Sequence, residues 1–183
     1  MDEDVRLRAL DPGRDLPLLE RLWEAALGSV WPLLPGALDT VRDGVVAEAG
    51  GGGNPADGGL GVIAIDPAGS IPLLLVDPSS QRQGIGTRLL EAGMARLAEL
   101  GAATVGLGSG GDDYIWPGVP DDLPGAVRFF EARGWGFDGT VIDLVADLRG
   151  YEAPAGVGER AGRAGVSIEV MAAPERVEVM AFE

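Results

Sequence analysis

The chain is predicted to fold as an α/β protein of α+β character, with a mixed sheet and helices on its faces. Three observations carry that expectation. Apolar runs of strand length recur along the first 150 residues, and amphipathic runs of helical spacing separate some of them. Consecutive strands without an intervening helix come first, which implies antiparallel neighbours. A single strand–helix–strand crossover then follows, which implies a parallel pair.

The elements follow in order. VRLRAL, from Val5, alternates apolar and polar residues as a half-buried strand does. DPGRDLPLLERLWEAALG places Leu18, Leu19, Leu22, Trp23, Ala26 and Leu27 on one helical face, with Asp15 as the expected cap and Pro17 in the first turn. PGALDTVRDG reads as a short second helix closed by Gly44, and VVAEAG as a strand. GGGNPADGG has the composition of a hairpin loop before the strand LGVIAID. SIPLLLVD is a buried strand in which Pro72 predicts a bulge or a locally unpaired edge. Ile85, Leu89, Leu90, Met94, Leu97 and Ala98 mark a helix stopped by Gly101. ATVGLGS is a strand, LPGAVRFFEARGW a short helix, WGFD a candidate short strand and GTVIDLVADL a last strand. The expected order is β-α-α-β-β-β-α-β-α-β over residues 1–150.

Composition narrows the chemistry. There are 183 residues, of which 46% are apolar, and neither cysteine nor histidine occurs. Disulfides, thiolate nucleophiles and the usual zinc sites are therefore excluded, and no metal is expected. A general base must be a carboxylate, a phenol, an amine or a positioned water. The net charge of −15 repels nucleic acid and anionic membranes and favours cationic ligands, although the same balance also serves solubility. The acidic start MDEDVRLRAL lacks an apolar signal region, which predicts a cytoplasmic protein.

The most informative stretch is LLLVDPSSQRQGIGTRLL, residues 73–90. A helix opening at Gly84 presents unpaired N–H groups and the positive end of its dipole, and Gly84 and Gly86 carry no side chain to block an anion. Thr87 adds a hydroxyl. Gly-Lys-Ser/Thr is missing, so this is not a nucleotide triphosphatase loop. The stretch closely resembles motif A of the GCN5-related N-acetyltransferases (GNAT), in which an apolar strand and V-D-P precede Q-x-x-G-x-G. The resemblance extends over residues 5–148. It implies that Gln81, Arg82, Gln83, Gly84, Ile85, Gly86 and Thr87 hold the diphosphate of acetyl-CoA. It also implies that the strand edge at Leu74, Leu75 and Val76 hydrogen-bonds the pantetheine arm.

The family pattern is incomplete. The helix position that often carries a proton-donating tyrosine holds Phe129 or Phe130. SIPLLLV offers only Ser70 in place of a strand carboxylate, with Glu48 the nearest alternative. The loop GGDDYIWPGVPDD is the expected replacement: Asp112 and Asp113 to bind and deprotonate an amine, Tyr114 to protonate the thiolate. The alternative is that the aspartates cap a turn and Tyr114 packs.

YIWPGVPDDLPGAVRFFEARGW is similar to the matching region of tandem-domain glucosamine/glucosaminide N-acetyltransferases. After a glycine-rich linker, 151–165, residues 166–183 repeat the apolar register of the first strand and helix. Val5, Leu7, Leu10, Leu16, Leu18 and Leu19 align with Val166, Ile168, Met171, Val177, Val179 and Met180. The segment reads either as the start of a truncated second repeat or as a terminal strand and helix of one domain. The expected function is acetyl transfer to a primary amine of a small molecule, with an amino sugar preferred. The alternatives are a non-catalytic acyl-CoA-binding domain and a protein or peptide acetyltransferase. The expected partners are the amine and either a second copy of the chain or a tandem domain.

Overall fold

The computed structural model describes residues 5–29, 31, 33, 36–50, 58–108, 118–142 and 149–165. The chain forms two compact units, Met1–Val141 and Ile142–Glu183. In the first, β1 (Val5–Ala9), α1 (Pro12–Leu27), β2 (Asp43–Ala49), β3 (Gly59–Asp66) and β4 (Ser70–Val76) lead to a 3-10 turn at Pro78–Ser80. After it come α2 (Ile85–Glu99), β5 (Gly106–Leu107) and α3 (Pro124–Glu131). The second unit contains α4 (Val157–Ala164). The strands form one sheet in the order β1-β2-β3-β4-β5, antiparallel up to β4, with β4 and β5 parallel. This is the mixed sheet that the sequence predicts.

The sheet buries both faces. On β3, Val62 and Ala64 point into a core shared with Leu18, Leu19, Leu22 and Trp23 of α1. Ile63 and Ile65 point the other way, against Ile85, Leu89 and Leu97 of α2 and Phe130 of α3. Side chains on both sides explain why β3 reads as a continuous apolar run. A Cβ at Gly93 would come 2.6 Å from Ile63 Cδ1, so glycine lets α2 lie close on the sheet without displacing the Ile63 side chain.

Proline sets the geometry of β4. Leu73 faces Ala64 and Ser70 faces Asp66, so Ile71 and Pro72 together oppose the single residue Ile65. This is the bulge expected at Pro72, which has no N–H to donate. Strict alternation would place Ile71 on the face of Leu73 and Leu75. The extra residue instead turns it to the α2 side, with Leu74 and Val76.

Several local expectations are corrected. Asp11, not Asp15, caps α1, accepting from the N–H groups of Gly13 (3.0 Å) and Arg14 (3.3 Å). Pro12 occupies the first turn, and Pro17 sits inside the helix. Residues 36–40 form turns where a second helix was expected, and Gly44 lies within β2. Residues 135–138 and 139–142 are not strands, and 143–148, which complete the expected last strand, lie outside the described residues. The linker contains α4, and the proposed repeat at 166–183 also lies outside the described residues. Among the described residues, no helix is long and apolar enough to cross a membrane.

Asp15 is fully buried because Arg8 meets it. The guanidinium donates through Nη1 to Asp15 Oδ2 at 2.7 Å and through Nη2 to Oδ1 at 2.8 Å, and the Asp11 N–H adds a third bond at 2.9 Å. Burial pushes the Asp15 carboxyl up, but these bonds outweigh it and hold the group below the usual carboxylate range. Asp15→Asn is therefore expected to cost about 3 kcal/mol in urea denaturation, since it leaves the Arg8 charge short of its partner. Because the folded-state value lies below the unfolded one, the stabilisation is complete above about pH 4 and is lost as pH falls through the folded value. The wild type should lose stability in that acid range more steeply than the variant.

Candidate functional site

The site lies where β4 and β5 part. Their ladder joins Ser70 to Gly106 and Ile71 to Leu107, with the Gly108 N–H donating to the Ile71 carbonyl at 2.9 Å. Beyond Ile71, no described residue pairs with this edge of β4. Asp77 donates its N–H to Leu60 of β3 at 2.9 Å, so Leu75, two residues earlier, also directs its backbone groups to β3. Leu74 and Val76 therefore direct theirs to the open side. Of the three strand residues expected to bond a ligand, two face the opening and Leu75 faces its partner strand.

The open edge leads directly to the start of α2. Asp77 accepts from Ser79 N–H at 3.0 Å and from the Ser79 hydroxyl at 2.6 Å, which shapes the turn. Arg21 of α1 donates to the other Asp77 oxygen at 2.7 Å and also to the Gly59 carbonyl. The Ser79 hydroxyl first, then Arg21, holds the Asp77 carboxyl below its ordinary value. Gln81 reaches back to the Val76 carbonyl at 3.2 Å. Arg82 (φ 63°) and Gly84 (φ 84°) both adopt left-handed backbone conformations, and Gly84 is the N-cap of α2. Arg82 does so without glycine's freedom, which stores strain at an exposed position. The first turn leaves the N–H groups of Ile85, Gly86 and Thr87 without intrahelical acceptors.

The two glycines differ. Gly84 is required by its positive φ, since a Cβ there would meet nothing within 4 Å. A Cβ at Gly86 would lie 3.4 Å from the Phe129 ring and 3.6 Å from Val76. These are ordinary contacts, so the packing of α3 does not itself require glycine at Gly86. Phe129 in turn carries Arg133, whose guanidinium lies 3.8 Å above the ring centroid and donates to the Phe129 carbonyl at 2.7 Å and to the Thr87 hydroxyl. Sequence reasoning missed Arg133. Its only signal is a cation one helical turn after Phe129, and nothing in the sequence brings α3 to Thr87.

At the closed end of the split lies a cavity of about 110 Å3, walled by Trp23 and Leu27 of α1, Leu73 and Leu107 of the strands, and Leu123 and Phe130 of α3. Neither Phe129 nor Phe130 offers a hydroxyl; Phe130 stacks edge-on against Phe129 and Trp135 at 5.1 and 5.8 Å. Glu48 is taken by Arg8, whose Nε donates to it at 2.8 Å. The Ser70 hydroxyl is buried with no hydrogen-bond partner among the described residues. Asp112, Asp113 and Tyr114 lie outside the described residues. The described residues hold no cluster suited to a metal ion.

The arrangement can take a ligand with an anionic head and an extended, amide-bearing arm. Comparison with known proteins points the same way. The model of the acetyltransferase (GNAT) family matches residues 41–137. Among solved structures, a GCN5-related glucosamine N-acetyltransferase region of a fungal multi-domain β-N-acetylglucosaminidase is 27% identical, with a TM-score of 0.68. That match covers 97% of this chain and 22% of the fungal one, so this chain spans about a fifth of that protein. A GNAT-family acetyltransferase from Streptococcus pneumoniae shares the fold at 22% identity and a TM-score of 0.52, over 78% of this chain and 98% of that one. So does an aminoglycoside acetyltransferase from an uncultured soil metagenomic sample, at 19% identity and a TM-score of 0.52, over 80% and 98% of the two chains. No curated protein matches. With more than half of its 183 residues matched and the parted strands leading into an amide-lined helix start, the chain belongs to the acetyltransferase (GNAT) family.

Proposed function

We propose that the chain transfers the acetyl group of acetyl-CoA to the primary amine of a small molecule, with an amino sugar as the preferred acceptor. The observation that carries this reading is the edge of β4 beyond Ile71, which no described residue pairs and which runs without interruption into the cradle at α2. The N–H groups of Gly84 to Thr87, with Arg133 beside Thr87, suit a diphosphate. The backbone groups of Leu74 and Val76 suit the arm's amides as a partner strand would. The four steps from Val76 back to Pro72 span about 13 Å of extended chain, close to the reach of a pantetheine arm. That reach ends beside the cavity.

Acetyl-CoA supplies an activated thioester. The neutral amine nitrogen attacks its carbonyl carbon, a C–N bond forms, the C–S bond breaks, and the proton released by nitrogen ends on the thiol. Asp112 and Asp113 are proposed to bind the ammonium form and take its proton, and Tyr114 to protonate the thiolate. The amino-sugar preference is supported by the likeness to the fungal glucosamine N-acetyltransferase region. A second reading, an acyl-CoA-binding domain without turnover that serves a tandem partner, is favoured by the engaged Glu48 and by the missing hydroxyl at Phe129 and Phe130.

Thiol release from acetyl-CoA in the presence of amino sugars, aminoglycosides, polyamines or peptides tests the activity. Turnover with amino sugars is expected, and binding without turnover on any amine would establish the second reading. Gly86→Asp should weaken acetyl-CoA binding at least about tenfold in calorimetry. Its fold should survive, because a Cβ there makes ordinary contacts and a carboxylate suits the first turn of a helix. Unchanged affinity in the folded variant would refute the cradle. Tyr114→Phe should lower turnover about 100-fold with acetyl-CoA affinity nearly intact, as removal of a general acid does.

A further inference from the structure

The cavity at the closed end of the split has a composition that an acetyl donor does not require. Apart from the indole N–H groups of Trp23 and Trp31, of which the first donates to the Trp31 carbonyl, every described side chain on its wall is hydrocarbon, glycine or proline. Among the described residues, an ammonium or a sugar hydroxyl placed there would find no carboxylate or hydroxyl to replace its water. The occupant that suits the wall is hydrocarbon. Continuity with the β4 edge says which hydrocarbon: the edge used for the arm ends at Pro72, where Ile71 and Leu107 close the ladder, and both strands line the cavity. From the far side, α3 contributes Leu123, Ala126 and Phe130. The size is also more than a methyl group needs. An apolar cavity of about 150 Å3 accepts benzene, and this one measures about 110 Å3.

We propose that the donor site also takes acyl groups of three or four carbons, propionyl and butyryl, and binds their CoA thioesters more tightly than acetyl-CoA. This inference rests on the assignment of the β4 edge to the pantetheine arm. The transfer keeps the same balance, with an amide bond formed to the acyl carbon, the C–S bond broken and the amine's proton ending on the thiol. Each further buried CH2 strengthens binding by about fourfold, so two should give roughly tenfold after the loss of chain freedom. A chain of eight carbons exceeds the cavity.

The experiment is calorimetric titration of the full chain with acetyl-, propionyl-, butyryl- and octanoyl-CoA, in the wild type and in Ala126→Leu, which fills part of the cavity. Butyryl-CoA is expected to bind the wild type about tenfold more tightly than acetyl-CoA, and octanoyl-CoA less tightly than butyryl-CoA. In Ala126→Leu the butyryl-to-acetyl ratio should fall toward one. Melting curves check folding, and Ala126→Val serves if the leucine variant does not fold. Equal or weaker binding of butyryl-CoA by the wild type overturns the proposal while leaving the acetyl-CoA assignment standing. A ratio unchanged in the filled variant assigns the cavity to another ligand and also overturns it. Absence of binding by every acyl-CoA defeats the underlying cradle assignment, and the proposal with it.

Discussion

The site depends on one missing hydrogen bond. Pro72 has no N–H, and the residue inserted beside it shifts β4 by one position against β3. One consequence is the turn of Ile71, and two further features of the same strand stand beside it. Among the described residues, the ladder to β5 ends at Ile71. Ile71 turns to the α2 face and helps form the wall of the cavity. Leu74 and Val76 present their amides to the opening, while Leu75 stays bonded to β3.

A protein with a net charge of −15 can still receive an anionic ligand, because long-range and short-range fields differ. At physiological salt the summed charge is screened beyond about 8 Å. Within that distance lie the α2 amides, Thr87 and Arg133. Arg133 is not free to wander there: Phe129 holds its plane from below, and two oxygen acceptors hold its nitrogens. A guanidinium already partly ordered loses less freedom when an anion arrives.

Strands β1 to β5, α1, α2 and the glycine turn were legible because each has a local cause: apolar spacing, a cap, or a residue type suited to a turn. The bulge was legible for the same reason, since proline's missing donor acts at its own position. What escaped was set at a distance. Asp15 resembles a cap in sequence, but Arg8, seven residues earlier, draws it into the core and leaves the cap to Asp11. Gly86 reads as a phosphate glycine, whereas its neighbour in space is Phe129, 43 positions later. Arg133 had no local signal at all. Residues 36–40 gave turns although Leu38 and Val41 reach the core, because Gly36, Asp39 and Thr40 favour turns over so short a helix. The candidate acid and bases at 112–114 were chosen by elimination, and the described geometry neither brings them together nor separates them.

Gly93 carries a consequence of a different kind. Because its missing side chain seats α2 directly against Ile63, the helix can neither slide along the sheet nor lift from it without opening a void. Its first turn, where an anion would be held, is thereby set at a fixed interval from the point where β4 and β5 rejoin. The two ends of the split act as the marks of a ruler. An arm one bond too short or too long would present its reactive carbon off the mark, however well its head was bound. Discrimination among donors can then be mechanical, read as length by the spacing between a helix and a strand junction.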